Sequence, residues 1–162
     1  LVKLSTTTDK LALDVNAAFT RLRDNTNLSK SILMVGGIIT GQAGSIVNWP
    51  ITLLPGAFSP TGLQADIQIP AGLTFLSIAP GPATTAANKQ IQAAPGMGFQ
   101  RFIIFGINQT PIGQGVIAVV RFQITPTAIH SQFPICMTGP VAANAAANPV
   151  IMSVVSGTVV VL

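Results

Sequence analysis

Any chemistry this chain performs must come from a short roster of titratable side chains. Its 162 residues include one His, one Cys and four Asp+Glu. Beyond position 30 that roster shrinks to His130, Cys136 and Asp66. Hydrolysis of a glycosidic bond needs two carboxyl groups flanking it. Asp66 stands alone, because Asp9, Asp14 and Asp24 all belong to the first thirty residues. A Ser-His-Asp set would have to recruit His130 and Asp66, and no Gly-x-Ser-x-Gly turn presents a serine to them. One His and one Cys cannot furnish a tetrahedral zinc site, and no oxygen-rich loop suits calcium. The expectation is a protein with no catalytic residues, no metal and no cofactor.

The remaining polar candidates are modest. Cys136, within Phe133-Pro-Ile-Cys-Met-Thr138, is expected to be a buried free thiol. His130, between Ile129 and Ser131, is expected in a surface loop. Trp49 lies in a strand-like run beside Pro50 and is expected in the core rather than on a sugar-stacking platform. Asn27-Leu-Ser29 and Asn108-Gln-Thr110 fit the N-glycosylation acceptor pattern, and Ser5 to Thr8 offer hydroxyls for O-linked sugar.

Charge is distributed very unevenly. Only 7% of the residues are charged, against roughly a quarter in an ordinary soluble domain. Lys3, Asp9, Lys10, Asp14, Arg21, Arg23, Asp24 and Lys30 crowd the first thirty positions, leaving Asp66, Lys89, Arg101 and Arg121 for all the rest. The formal net charge of +4 comes from a shortage of acids. With no cationic cluster and no Tyr, neither a phosphate-tracking groove nor a base-stacking surface forms, so nucleic acid is not an expected partner. The most apolar run, Ile32 to Ile39, is broken by Gly36-Gly37 and is far shorter than the roughly 20 residues of a membrane span. The chain opens on Leu1, consistent with removal of a secretory leader.

These contrasts divide the chain into an arm, residues 1–30, and a body, residues 31–162. In the arm, Leu11, Val15, Ala18, Phe19 and Leu22 recur at helical spacing, with Thr8 or Asp9 placed to cap the start. One short amphipathic helix is expected there. Such a helix is marginal alone and must dock its stripe on something. In the body, short β-branched runs alternate with Gly, Pro and Asn punctuation from Ile32 to Leu162. Leu63, Ala65 and Ile67 point one way while Gln64, Asp66 and Gln68 point the other; Phe122 and Ile124 oppose Arg121 and Gln123. With no helical period in the body, the expected fold is all-β: a two-sheet antiparallel β-sandwich of jelly-roll or immunoglobulin-like type. The alanine-rich stretches Gly81 to Asn88 and Gly139 to Asn148 are expected to be loops.

Several motifs of the body resemble those of cohesin modules, the β-sandwich domains of bacterial cell-surface and scaffolding proteins. Gly44-Ser-Ile-Val-Asn-Trp-Pro-Ile-Thr-Leu53 is similar to the family's early strand. Gly62-Leu-Gln-Ala-Asp-Ile-Gln-Ile-Pro-Ala-Gly-Leu-Thr-Phe-Leu-Ser-Ile-Ala-Pro-Gly81 resembles its strand pair ending in a Pro-Gly turn. Ile112-Gly-Gln-Gly-Val-Ile-Ala-Val-Val-Arg-Phe-Gln-Ile124 and Ser156-Gly-Thr-Val-Val-Val161 resemble a central and the closing strand. The resemblance covers about residues 32–162 and implies a cohesin-type sandwich with a habit of extracellular protein association. Where dockerin-binding members have a Tyr-Asp-Pro turn, this chain reads Ile69-Pro70-Ala71-Gly72.

Together these readings make the chain a non-enzymatic, extracellular or cell-surface protein-association module. The first expectation is a self-assembling structural subunit of a surface fibre, appendage or layer, a homo-oligomer or homopolymer. Its assembly residues would be Leu11, Val15, Phe19 and Leu22 of the arm and Ile32, Leu33 and Val35 of the first strand. The alternative is a monomeric recognition module for a dockerin-like protein or a polysaccharide.

Overall fold

A computed structural model describes residues 32–162; the arm, with Leu11, Val15, Phe19, Leu22 and Asn27, lies outside the described residues. Thirteen strands and one short helix follow in order: β1 (Ile32–Gly36), β2 (Ile38–Gly41), β3 (Ile46–Leu54), β4 (Gly62–Gln68), β5 (Leu73–Pro80), α1 (Pro82–Ala86), β6 (Gln90–Pro95), β7 (Phe99–Phe105), β8 (Gly115–Ile124), β9 (Gln132–Ile135), β10 (Met137–Ala143), β11 (Pro149–Val150), β12 (Met152–Val155) and β13 (Gly157–Val161). They form sheets ordered β12-β1-β3-β8-β5 and β11-β10-β4-β7-β6, with a smaller sheet β2-β13-β9.

The alternation read from the sequence becomes two facing apolar layers. Trp49, Ile51 and Leu53 of β3 and Val120, Phe122 and Ile124 of β8 are buried in one cluster with Leu63, Ala65 and Ile67 of β4 and Phe102 and Ile104 of β7. Trp49 is fully buried, as expected, and tilts against Phe122 at 6.1 Å between ring centroids. Phe75 meets Phe122 edge-on at 6.3 Å, an arrangement that aromatic quadrupoles favour.

The antiparallel expectation needs one amendment. β1 pairs with β12 in parallel, and β2 pairs with β13 in parallel. Each of these two paths is a single run interrupted once, at Gly37 and at Ser156, where it leaves one sheet for another. The break is organised by Trp49: its indole N–H donates to the Gly37 carbonyl at 2.7 Å, and that carbonyl also accepts from the Thr158 N–H at 3.0 Å. Side chains at Gly36 or Gly157 would overlap the indole, which is why glycine stands at both positions.

Two alanine-rich stretches differ from expectation. Gly81 to Asn88 holds α1 instead of an irregular loop, and Gly139 to Asn148 begins as the continuation of β10 through Ala143. In the second, Gly139 adopts φ +57° at an irregularity that lets Pro140 sit inside a strand without breaking the pairing on either side.

Candidate functional site

The outer face of the β10-β4-β7-β6 array follows from strand register. Antiparallel pairing sets Val141, Gln64, Ile103 and Gln92 in one row across four strands, and Thr138, Asp66, Arg101 and Ala94 in the next. A further row carries Gln68 opposite Phe99. Because successive residues of a strand point to opposite faces, the buried Leu63, Ala65 and Ile67 force Gln64, Asp66 and Gln68 outward.

At the centre, Arg101 grips Asp66 with both prongs of its guanidinium, Nε to Oδ1 at 2.7 Å and Nη2 to Oδ2 at 2.8 Å. The guanidinium also lies 5.8 Å from the Phe99 ring centroid. This hydrogen-bonded cation holds the Asp66 carboxyl below the usual carboxylate range. The pair therefore adds stability above that range, and the contribution fades as pH falls through the depressed value. Around the pair the surface turns apolar: Ile103 is 40% and Val141 56% exposed. Gly62, Gln64, Ile103, Phe105, Val141 and Ala143 border a shallow hollow of about 210 Å³. Gln64, Gln68, Gln90 and Gln92 supply uncharged hydrogen-bonding groups between these apolar residues.

Cys136 also belongs to this face. It is exposed, not buried as the sequence implied. Ile135 and Met137 on either side are the inward residues, and a period of two turns the residue between them out, beside Gln68, whose N–H donates to the Cys136 carbonyl at 2.8 Å. His130 is exposed in the loop before β9, with φ +44°. Leu33 and Val35 are half-buried in β1. Asn108 is half-buried, and its side chain is engaged twice: the amide donates to the Asn88 carbonyl at 2.9 Å and its oxygen accepts from the Thr110 N–H at 3.0 Å.

Sequence reasoning passed over Lys89, which is only 5% exposed. Its ammonium donates to the Asn108 carbonyl at 2.6 Å, and burial lowers its pKa. The unfolded chain keeps that proton up to the ordinary lysine value while the folded chain releases it earlier, so stability rises with pH between the two. Lys89→Met should keep the fold, since it removes the cost of burying a charge that has no ion-pair partner while keeping most of the side chain's volume. It should also flatten that alkaline rise. Urea melts of both proteins across the alkaline range test this, and an unchanged slope in the variant would assign the rise to other groups.

Among the described residues, no three His, Cys, Asp or Glu side chains come together as a metal site. In the same residues no helix is long and apolar enough to cross a membrane.

This architecture is that of the cohesin modules. The chain is similar to the sixth cohesin of Acetivibrio cellulolyticus scaffoldin B, solved with a Cel5 dockerin mutant, with TM-score 0.71 and 20% identity over 82% of this chain and 99% of that one. It is also similar to a cohesin of Clostridium thermocellum solved as the Coh-OlpA-Doc918 complex, with TM-score 0.72 and 12% identity over 82% and 99% of the two chains. A non-cellulosomal cohesin from the hyperthermophilic archaeon Archaeoglobus fulgidus matches with TM-score 0.68 and 16% identity over 82% and 91%. No family model and no curated protein matches the sequence.

Proposed function

We propose that the chain is a non-catalytic protein-recognition module of an extracellular or cell-surface assembly, and that it binds a dockerin-like protein on the outer face of β10-β4-β7-β6. The observation that carries this reading is the composition of that face. One bidentate ion pair at the surface is ringed by exposed Ile103 and Val141, half-buried Phe99 and Phe105, and four glutamines. Interfaces concentrate binding in a few apolar, aromatic and Arg anchors, with uncharged polar groups around them. Cohesins of the same fold solved in complex with dockerins support it from outside the chain. A polysaccharide partner is less favoured, because Trp49, the one Trp, is in the core.

The uncharged surface favours a second reading, the self-assembling subunit. Among the described residues, Asp66 and Arg101 are paired, Lys89 is buried, and Arg121 is left as the one charge both exposed and without an ion-pair partner. In that reading the arm residues Leu11, Val15, Phe19 and Leu22, with Ile32, Leu33 and Val35, make the contacts between copies. The fold comparisons support recognition of a partner better than they support self-assembly.

Titration of the full chain against a panel of dockerin modules tests the first reading. Binding is expected with at least one, and Ile103→Asp or Val141→Asp should each weaken it by about 2 kcal/mol, the scale of an anchor residue lost at an interface. The melting temperature should hold, since both side chains are exposed. Binding indifferent to both changes would move the site elsewhere, and silence across the panel would overturn the dockerin-like partner.

A further inference from the structure

β6 is an edge strand that nothing in the sequence protects. Among the described residues it hydrogen-bonds to β7 alone, at the end of its sheet. Exposed strand edges are templates for pairing with another chain, and proteins blunt them with charges, bulges, proline or brevity. The other edges are blunted. β9 carries Pro134, β11 has two residues, β2 and β12 have four each, and β5 has a register irregularity between Phe75 and Ser77. β6 runs six residues, Gln90-Ile-Gln-Ala-Ala-Pro95, with no charge, no irregularity and proline only at its last position. All but Ile91 are exposed.

The free hydrogen-bonding groups can be assigned. The Gly96 N–H donates to the Phe99 carbonyl at 2.9 Å, closing the hairpin to β7. Since antiparallel ladders alternate bonded and non-bonded pairs, Gln90, Gln92 and Ala94 bond to β7. Ile91 and Ala93 then direct both N–H and C=O to the open side, with the Pro95 carbonyl.

We infer that β6 pairs antiparallel with β6 of a second copy about a two-fold axis through Gln92, joining two β11-β10-β4-β7-β6 sheets into one. In this register Ile91 exchanges both backbone bonds with Ala93 of the other copy, and the two-fold repeats the exchange. The larger Ile91 lies against the smaller Ala93 on the inner face, Gln90 lies against Ala94 on the outer face, and Gln92 faces Gln92. No like charges meet, and a two-fold contact of this kind closes on itself. The occupant is a second copy because the segment is complementary to itself in one register, in side-chain size and in backbone groups.

The test uses the full chain with Cys136→Ser, which removes its single cysteine. Gln92 forms a non-bonded pair with its mate, where Cα atoms approach to about 4.5 Å, within disulfide range. Gln92→Cys should therefore give a covalent dimer under mild oxidation. Ala94→Cys, exposed on the same strand but opposite Gln90, should give about tenfold less, because its mates are too far apart to bridge. Adding Ala93→Pro to Gln92→Cys should abolish the dimer while leaving the circular dichroism melt in place, because the lost N–H faces the open edge and not β7. Ala93→Lys should act likewise, by charge, and decides the matter if the proline variant does not fold. Absence of cross-linking, equal cross-linking at the two positions, or a dimer untouched by the folded Ala93 variant would overturn the pairing.

Discussion

Trp49→Ala is expected to lower the stability of the body by about 3–5 kcal/mol, the range for emptying a buried aromatic site. The indole is fully buried and packs on Phe122. It also fills the place where the paths β1/β2 and β12/β13 both break, walled by Gly36 and Gly157. Removing it leaves a void that the flanking glycines have no side chains to fill, so relaxation recovers little. Trp49→Phe separates volume from hydrogen bonding. The Gly37 carbonyl would keep the Thr158 N–H, so the lost indole bond should cost about 1 kcal/mol beyond the smaller ring. Denaturant melts of the three proteins measure both. A loss below about 2 kcal/mol for the alanine variant would mean that the strand break collapses around the gap.

Trp49 was legible as a core residue because it lies in a strand-like run beside Pro50, but its organising role was not. That role depends on Gly36, Gly37 and Gly157 coming together, and Gly157 is remote in sequence. The same division runs through the site. Period two was enough to turn Gln64, Asp66 and Gln68 outward, a local property of one strand. That Asp66 should meet Arg101 depends on β4 and β7 pairing in one register, a nonlocal fact that no short window contains. Cys136 shows the cost of judging by residue type: cysteine is buried on average, but its place between two inward residues outweighs the average. The uncharged body was plain from composition. Which of its faces is left for a partner became visible only once the sheets were assembled.

The element missed altogether, α1, carries the remaining large effect: Gly81→Ala is expected to destabilise the body by about 3 kcal/mol, the cost of forcing volume into a packed site. Gly81 to Ala87 reads as a loop because it holds Gly, Pro and Thr and no apolar stripe. It is helical because of where it sits. β8 carries an extra residue there: Val116 and Ala118 pair with adjacent residues of β3, Thr52 and Ile51, so Ile117 is left over. Toward β5 the register runs on one pair beyond Pro80 and Ala118, so the Ile117 carbonyl accepts from the Gly81 N–H at 2.9 Å, and it also accepts from the buried Thr84 hydroxyl at 2.7 Å. Pro82 at the first turn needs no donor and fixes the φ a helix requires. A side chain at Gly81 would overlap the Val116 carbonyl, and backbone on both sides cannot swing away as a flexible side chain would. Thr84→Val keeps the volume and removes the hydroxyl, so it should cost less, about 1 kcal/mol, because the Gly81 N–H still reaches the same carbonyl. If α1 were an incidental turn, both variants would melt with the parent. The ordering Gly81→Ala well below Thr84→Val, and Thr84→Val below the parent, is the result that makes the close seat of Gly81 on β8 and the Thr84 bond to the Ile117 carbonyl the anchors of the helix.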